Sequence, residues 1–331
     1  MPQPASQRIL VLRALPGLGD LLCAVPALRA LRAGWPGAEV TLLGLPGAAA
    51  FVRRYPELID RLEVFPGFPG LPEVPVRNAE VLDFLGRGQG RYDLAIQMHG
   101  SGPISNVFVA LLGARQTAGR FLPGTWCPDP AGFLPYRADE PEPLVWLRLV
   151  EFLGCPSRGE DLTFPVREED RAALRAVVGA DMLTPGSYAV IHPGASQLER
   201  CWAPEHFARV ADELIGYGLR VVLTGTLGEA AVTAAVREQM MRPGVLDLSG
   251  QTDLGTLAAL LAGARLLVCN DTGVSHLAAA TGTPSVVVFL ISDPARWAPL
   301  NRERHRAVNG ELDSVLGGVR ALLEREVSRV G

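Results

Sequence analysis

The fold is decided by the stretch Arg265-Leu266-Leu267-Val268-Cys269-Asn270-Asp271-Thr272-Gly273. Its apolar run predicts a buried strand, its polar end predicts a turn, and a helical pattern over residues 274–280 follows directly. A strand that passes straight into a helix leaves backbone N–H groups and the positive end of the helix dipole at the carboxyl edge of the sheet. Open α/β sheets bind phosphate groups at that edge.

The order of strand, loop, helix and strand occurs twice in the chain. In the first half it covers residues 8–13, 14–20, 21–33 and 40–44. In the second half it covers residues 188–191, 192–196, 204–217 and 220–225. Further strands are predicted at residues 92–96, 266–269 and 285–290, and Pro-rich loops at 65–75 and 122–135. Two such starts indicate two parallel sheets of the doubly wound kind.

The length of 331 residues also favours two domains, because single cores seldom grow that large. The polar, Pro-containing stretch 156–185 is the best boundary. We therefore expect an α/β protein with two Rossmann-like domains, residues 1–165 and 180–331, facing a central cleft between the carboxyl edges of their sheets. Residues 312–327 have apolar positions at helical spacing, and this last helix is free to pack on either domain.

Composition narrows the class of protein. The net charge is -4 without a basic block, so nothing indicates nucleic-acid binding, and all cationic side chains are arginines since lysine is absent. The cysteines, odd in number and without C-x-x-C spacing, are typical of reduced thiols in the cytoplasm: Cys23, Cys127, Cys155, Cys201 and Cys269. No leader pattern precedes the first strand, and the apolar stretches are too short for a bilayer, so we expect at most peripheral membrane contact.

Two motifs come close to known catalytic signatures and fall short of them. Gly17-Leu18-Gly19-Asp20-Leu21-Leu22 lacks the third glycine of a dinucleotide fingerprint, which disfavours hydride transfer. Gly273-Val274-Ser275-His276-Leu277 lacks the last glycine of a hydrolase nucleophile elbow. No Asp-x-Asp occurs and the histidines are dispersed, so no metal site is predicted. Taken alone, Asp20 is most simply a helix N-cap.

Several segments must be read together. They are Gly19-Asp20-Leu21-Leu22, Pro26-Ala27-Leu28 and Leu31, Asp93-Leu94-Ala95-Ile96-Gln97 and Gly100, His192-Pro193-Gly194, Arg200-Cys201-Trp202-Ala203-Pro204-Glu205-His206-Phe207, and Asp271-Thr272-Gly273-Val274-Ser275-His276-Leu277-Ala278-Ala279-Ala280. In this order they resemble the heptosyltransferases of glycosyltransferase family 9, over nearly the whole chain. Asp-Thr-Gly-x-x-His with its trailing alanines is the most specific element.

The resemblance implies a fold and an activity. It implies the two-domain glycosyltransferase type B fold, with an acceptor on residues 1–165 and a nucleotide-sugar donor on residues 180–331. The family reaction inverts the anomeric centre, needs neither metal nor cofactor, and moves a heptose from its ADP derivative to the lipopolysaccharide core. We expect a cytoplasmic enzyme with at most peripheral contact at the inner face of the cytoplasmic membrane, and by the same resemblance its partners are an ADP-sugar and a glycan or glycolipid acceptor.

The resemblance also implies roles for individual residues. Asp20 is similar to the catalytic base, and Arg200 stands where the family usually has a catalytic lysine, with the charge kept and a planar fork in place of a point charge. The implied donor-binding residues are Ser196, Glu229, Asp271, Thr272, Gly273 and His276. A second departure is Phe289-Leu290-Ile291-Ser292, since the family often has a small-residue loop there and Leu290 would crowd the donor site.

Two alternatives to a heptosyltransferase remain open at this point. One is a sugar-nucleotide epimerase of the same fold, and the other is a non-catalytic protein that binds a sugar nucleotide. An epimerase would release no nucleoside diphosphate coupled to glycosylation, and a binding protein would turn over no acceptor. The acceptor is not readable: Arg53, Arg54, Arg115 and Arg120 are candidates for contact with acidic sugars or lipid phosphates, or for a solvated surface.

Overall fold

The computed structural model describes residues 7–179 and 182–330, the last six of them by backbone alone. The chain forms two compact units that divide between Glu160 and Asp161. This point lies a few residues before the predicted end of the first domain at 165. Residues beyond it join the second unit because the N–H of Phe164 donates to the carbonyl of Ala280 at 3.1 Å.

The first unit is built on a six-stranded parallel sheet in the order β3-β2-β1-β4-β5-β6. Its strands are β1 Arg8–Leu12, β2 Glu39–Gly44, β3 Arg61–Val64, β4 Leu94–Gln97, β5 Gln116–Phe121 and β6 Phe133–Pro135. Its helices are α1 Leu18–Cys23, α2 Val25–Gly34, α3 Ala49–Arg54, α4 Asn78–Gly88, α5 Ser105–Leu111 and α6 Glu142–Phe152. β1 pairs in parallel with both β2 and β4, and its apolar residues are fully buried, as expected for a strand covered on both faces.

The second unit repeats the plan with the order β12-β11-β10-β7-β8-β9. Its strands are β7 Tyr188–His192, β8 Arg220–Leu223, β9 Leu246–Asp247, β10 Leu266–Asn270, β11 Ser285–Val288 and β12 His305–Val308. Its helices are α7 Glu168–Val178, α8 Pro204–Gly216, α9 Ala230–Gln239, α10 Leu254–Gly263, α11 Gly273–Thr281, α12 Pro294–Trp297 and α13 Leu312–Val330. All its strand pairs are parallel. The prediction of two doubly wound α/β domains is confirmed.

The first helical stretch differs from its prediction. Residues 21–33 were expected to form one helix, and the structure has two, with a break at Ala24. Pro26 explains the break, because it has no N–H to donate to the carbonyl of Leu22 and its ring would collide with that carbonyl. α1 is therefore short, and Asp20 lies within its first turn.

The last helix covers the second unit. α13 packs on β11, β12 and α8. Val315 and Val319 are fully buried and join the same core cluster as Val286 and Val288. The apolar surface of β11, β12 and α8 is therefore what the apolar face of residues 312–327 covers.

Long apolar helices are absent from the part of the chain that the structure describes. In that part, no helix combines the length and the hydropathy that are needed to cross a bilayer.

Candidate functional site

Each sheet has one point where the strand order reverses. In the second unit β10 lies beside β7, and the connections from these two strands leave the sheet in opposite directions. In the first unit the same holds for β1 and β4. Ligands of open α/β sheets bind outside the carboxyl ends of the strands at such points. The sequence places His192-Pro193-Gly194 and Asn270-Asp271 at one of them, and the loop that leads to Asp20 at the other.

The turn after β10 runs directly into α11. Thr272 is the N-cap, in extended conformation, and its side chain makes no capping bond to any described residue. The hydroxyl of Ser275 points back and donates to the Thr272 carbonyl at 2.8 Å. The first N–H groups of α11, beginning at Gly273, are therefore not capped by a side chain of the turn. This is the local geometry that favours an anionic group.

Asp271 is held by two side chains that come from different loops. Its Oδ2 lies 3.5 Å from Nη1 of Arg200, and the hydroxyl of Ser292 donates to the same oxygen. The Asp271 side chain is 6% exposed and that of Arg200 30%. The structure thus brings the predicted residues Arg200 and Asp271 together, and it adds Ser292, which the sequence did not single out.

Arg200 has one donor left over. Its Nε is buried and has no hydrogen-bond partner among residues 7–179 and 182–330. A buried donor without an acceptor costs roughly 1–3 kcal/mol, so this atom is suited to an acceptor supplied by a ligand. A ligand phosphate oxygen would be such an acceptor, and a guanidinium suits its geometry.

The altered loop after β11 is accommodated by a glycine. A side-chain carbon built on Gly310 would lie 2.6 Å from Cδ2 of Leu290, so the glycine leaves the space that the larger residue needs. Leu290 and Ile291 are themselves exposed. Leu290 therefore packs over Gly310, and the loop delivers Ser292 to Asp271.

Ser196 and Glu229 lie on the loops that follow β7 and β8. Ser196 is exposed, in the segment between β7 and the 3-10 turn Leu198–Arg200. Glu229 lies beside Gly194, because a carbon added to that glycine would meet the Glu229 carboxylate oxygen Oε1 at 2.2 Å. Its other oxygen accepts from the backbone N–H and the hydroxyl of Thr226, at 2.7 and 2.9 Å. Glu229 is thus a turn-capping residue whose Oε1 faces the His192-Pro193-Gly194 loop.

His192 and His276 are buried beside this loop and in α11. Burial lowers the pKa of His192, and the nearby Glu229 carboxylate opposes that effect. Nδ1 of His192 contacts the hydroxyl of Thr224 at 3.1 Å. His276 is the fourth residue of α11 and only 3% exposed. Its burial leaves little of the ring for a ligand in this state.

Asp20 is placed by the loop after β1. It is the third residue of α1, whose N-cap is Gly17, so the interpretation of Asp20 as the N-cap is wrong. Its carboxylate reaches back over Gly17, where an added carbon would lie 2.4 Å from Oδ2. The side chain is 22% exposed, enough for contact with a ligand hydroxyl.

Arg13, which the sequence analysis did not identify as functional, supports Asp20 from below. Its Nε donates to the Asp20 carbonyl at 2.6 Å, and Nη2 lies 3.6 Å from the Asp20 carboxylate. Nη2 also pairs with Glu142 at 3.0 Å, and Nη1 donates to the Met98 carbonyl at 2.7 Å. Arg13 is fully buried, and a buried cation of this kind requires such partners. The signal that could have found it is a charged residue placed directly after a buried apolar strand and followed by further apolar residues.

His99 follows β4 and contacts the loop 14–20 that leads to Asp20. Its Nδ1 accepts from the N–H of Ala14 at 3.3 Å, so its Nε2 carries the proton and donates to Glu73 Oε1 at 3.2 Å. Burial lowers the pKa of His99, with the Glu73 carboxylate opposing it. The predicted loop 65–75 is therefore tied to the loop that precedes Asp20.

The four arginines proposed for the acceptor have different surroundings. Arg120 is 3% exposed, donates to the carbonyls of Pro135 and Val145 and lies 3.3 Å from Glu140, so it is a structural cation and neither interpretation of it was right. Arg115 is exposed and lies 3.5 Å from Asp93. Arg53 and Arg54 end the short helix α3. Any acceptor contact by arginine therefore rests on residues other than Arg120.

Metal-ligating side chains do not cluster in the described chain. Over residues 7–179 and 182–330, no group of three or more His, Cys, Asp or Glu residues is arranged to hold a metal ion.

Comparison with known proteins gives consistent results. The family model described as "Glycosyltransferase family 9 (heptosyltransferase)" matches residues 144–314. Lipopolysaccharide heptosyltransferase 3 of Escherichia coli K12 is 26% identical over 299 residues, which cover 85% of this chain and 82% of the relative. A solved family 9 glycosyl transferase from Veillonella parvula DSM 2008 is 21% identical with a TM-score of 0.78, covering 98% of this chain and 99% of that one. Escherichia coli heptosyltransferase WaaC, solved with ADP, is 20% identical with a TM-score of 0.68, covering 96% and 99%.

Proposed function

The chain belongs to glycosyltransferase family 9, the heptosyltransferases, and is a glycosyltransferase; we propose that it transfers a heptose or related sugar from an ADP-activated donor to a lipopolysaccharide-core or other cell-envelope glycan. The transfer inverts the anomeric centre and uses no metal ion. Donor binding belongs to the second unit and acceptor binding to the first.

The observation that carries the proposal is the pairing at the start of α11. The Arg200 guanidinium lies 3.5 Å from Asp271 with its Nε unpartnered among the described residues, and the α11 N-terminus has no side-chain cap within them. A leaving diphosphate needs positive charge and N–H donors, and both are present in the second unit. A helix N-terminus stabilises an anion by roughly 0.3–1 kcal/mol, and a charged hydrogen bond contributes about 1.5–3 kcal/mol. Together they allow departure of ADP without a metal.

The remaining donor-binding residues follow from the positions of their loops. Thr272 and Gly273 supply N–H groups and a hydroxyl at the helix start, and Ser196 supplies an exposed hydroxyl on the β7 loop. Glu229 Oε1 accepts from a ribose hydroxyl, since a carboxylate accepts well from vicinal hydroxyls. His276, one turn into α11, contacts the donor sugar. Its burial implies that donor binding rearranges the turn around it.

Asp20 is the general base of the proposed reaction. Its carboxylate takes the proton of the acceptor hydroxyl while that oxygen bonds to the anomeric carbon. The bond between this carbon and the β-phosphate oxygen breaks, and ADP leaves with the electron pair. One displacement of this kind gives inversion. Arg13 keeps the Asp20 backbone in place through its bond to the Asp20 carbonyl. The positive charge of Arg13 is balanced by Glu142, which pairs with the same guanidinium nitrogen that lies near the Asp20 carboxylate.

The proposed setting is the cytoplasm, at the inner face of the cytoplasmic membrane when the acceptor is a glycolipid. None of the cysteines in the described residues forms a disulfide, which fits a reducing compartment. Peripheral contact is sufficient for such an acceptor.

The test is a product analysis. The protein is incubated with ADP-heptose, and separately with UDP-sugars, with and without a lipopolysaccharide-core acceptor. The proposal predicts ADP release coupled to acceptor glycosylation. An epimerised nucleotide sugar without coupled ADP release would instead support the epimerase, and donor binding without turnover on any acceptor would support a binding protein.

A further inference from the structure

Asn270, the last residue of β10, is fully buried and uses both ends of its side-chain amide. Its Oδ1 accepts from the backbone N–H of Trp202 at 3.0 Å. Its Nδ2 donates to the carbonyl of Pro193 at 2.7 Å and lies 3.5 Å from that of Gly194. One side chain therefore connects three parts of the second unit: the β10–α11 turn, the loop after β7, and the entry to α8.

The backbone groups that Asn270 binds lie at the two ends of the segment from Pro193 to Trp202, and few other contacts fix this segment. Between Pro193 and Trp202 the regular structure is the 3-10 turn Leu198–Arg200, and residues 196–199 are exposed. Leu198 is 83% exposed, so burial of apolar surface does not fix this part of the chain. The segment carries Ser196 and Arg200. Fixing both of its ends to the residue beside Asp271 sets where Arg200 can lie.

The chemistry at position 270 is specific for an amide. The Trp202 N–H requires an acceptor and the Pro193 carbonyl requires a donor, and a single asparagine supplies both. Leucine has a similar volume and supplies neither, while serine is too short to span the two groups. Leaving a buried backbone group unpaired is costly, so the segment would move to recover hydrogen bonds.

We propose that Asn270 is a positioning residue for the donor diphosphate: it touches no substrate and acts by holding the segment that carries Arg200 against Asp271 and the start of α11. The inference rests on the proposed function, since it needs an ADP-containing donor in the second unit.

The first test measures ADP affinity by calorimetry for wild type, Asn270→Leu and Asn270→Ser. We expect the dissociation constant to rise roughly tenfold in both variants, the equivalent of about one charged hydrogen bond. The matched control is Thr283→Val. The Thr283 hydroxyl is also buried and donates at 2.7 Å to the carbonyl of Leu261. Thr283 comes just before β11 and so lies at the amino ends of the strands, whereas Asn270 lies at the carboxyl end of β10. Thr283→Val should lower the melting temperature about as much as the Asn270 variants do. Its ADP affinity should nevertheless stay within about twofold of wild type.

The second test asks whether Asn270 acts through Arg200. If it does, the double variant Asn270→Leu with Arg200→Ala should bind ADP within about threefold of Arg200→Ala alone, because coupled residues are not additive. Steady-state kinetics should show a higher KM for the donor and an unchanged KM for the acceptor.

The outcomes separate this inference from the function on which it rests. Failure of the wild type to bind ADP would overturn the donor assignment and this inference with it. Wild-type ADP affinity in both Asn270 variants, with weak binding by Arg200→Ala, would overturn the positioning role alone. So would fully multiplicative effects in the double variant, or equal weakening by Thr283→Val.

Discussion

Gly17 sets the position of the Asp20 carboxylate. Its φ of -78° and ψ of 133° suit any residue, so the glycine is not required by the backbone. It is required by space, because an added carbon would lie 2.4 Å from Oδ2 of Asp20. Gly17→Ala should therefore displace the carboxylate while the fold is kept, and lower kcat by roughly 10–100-fold. Initial rates and melting temperature measure the two effects.

Gly47→Ala is the matched control for this substitution. Gly47 also lies in the first unit, and an added carbon there meets no atom within 4 Å. Its turnover should equal that of the wild type. Equal rates in both glycine variants would show that the position of the Asp20 carboxylate does not limit the reaction.

Asp20 itself can be tested with a nearly isosteric change. Asp20→Asn keeps the backbone carbonyl that Arg13 binds, so the loop should stay in place. Loss of a general base lowers turnover by about 10²–10⁴, and the donor affinity in the second unit should not change. Rates and ADP calorimetry on the same preparation decide the matter. Near-wild-type turnover would remove Asp20 from the mechanism.

Arg200 and Asp271 should both matter for ADP binding, for different reasons. Arg200→Ala removes the charged donor, and Asp271→Ala releases the guanidinium that Asp271 holds at 3.5 Å. We expect each change to weaken ADP binding by roughly 1.5–3 kcal/mol. Calorimetry measures both. Unchanged affinity in the two variants would place the nucleotide elsewhere.

Among the elements, the central strands were the most predictable from sequence, whereas the strands towards the ends of the two sheets, β3, β5, β6, β9 and β12, were not predicted, and β6 lies within the segment 122–135 that was predicted to be a loop. Continuous apolar runs such as residues 266–269 are typical of strands in a sheet covered on both faces, and β10 is buried throughout. The prediction of one helix over residues 21–33 was wrong in one respect. The spacing of the apolar residues gives no sign of the missing N–H at Pro26, which breaks the helix in two. The partner of α13 was not predictable, since an amphipathic pattern specifies an apolar face but not the surface that covers it.

A buried histidine on β12, His305, which contacts Ser285 on the neighbouring β11, predicts that the stability of the fold depends on pH. His305 contacts the Ser285 hydroxyl at 2.9 Å, and burial, with the charges of Arg304 and His276, lowers its pKa to about 4. The folded chain then binds fewer protons than the unfolded chain between this value and about 6.5. The stabilisation is therefore full above pH 6.5 and is lost as the pH falls towards 4.

The expected loss between pH 7 and pH 4.5 is on the order of 2–3 kcal/mol from His305, since the side chain is almost fully buried. Urea unfolding at the two pH values measures it. His305→Asn removes the titrating group, so its free energy of unfolding should fall less over the same interval. Equal pH dependence in wild type and variant would contradict a neutral buried imidazole.

At the scale of the whole molecule, the repeated strand–loop–helix–strand pattern predicted two α/β units, and the structure has both. Within each unit, the loop that follows the first strand, residues 14–20 and 192–196, lies at the point where the strand order reverses. What the pattern could not provide were contacts between distant residues. Arg13 and Glu142 are 129 positions apart, and nothing in their local sequence links them. The sequence predicts that Asn270 lies in a turn, but its partners Pro193 and Trp202 are set by the packing of three segments.

The measurement that tests the central claim most directly is transfer from ADP-heptose to a lipopolysaccharide-core acceptor in excess EDTA, with product and anomeric configuration read by mass spectrometry and NMR. The account predicts one ADP released for each heptosyl group transferred, inversion at the anomeric carbon, and an undiminished rate with the chelator. Retention of configuration, or a strict requirement for Mg²⁺ or Mn²⁺, would contradict a single displacement in which Arg200 and the α11 N-terminus alone stabilise the leaving diphosphate.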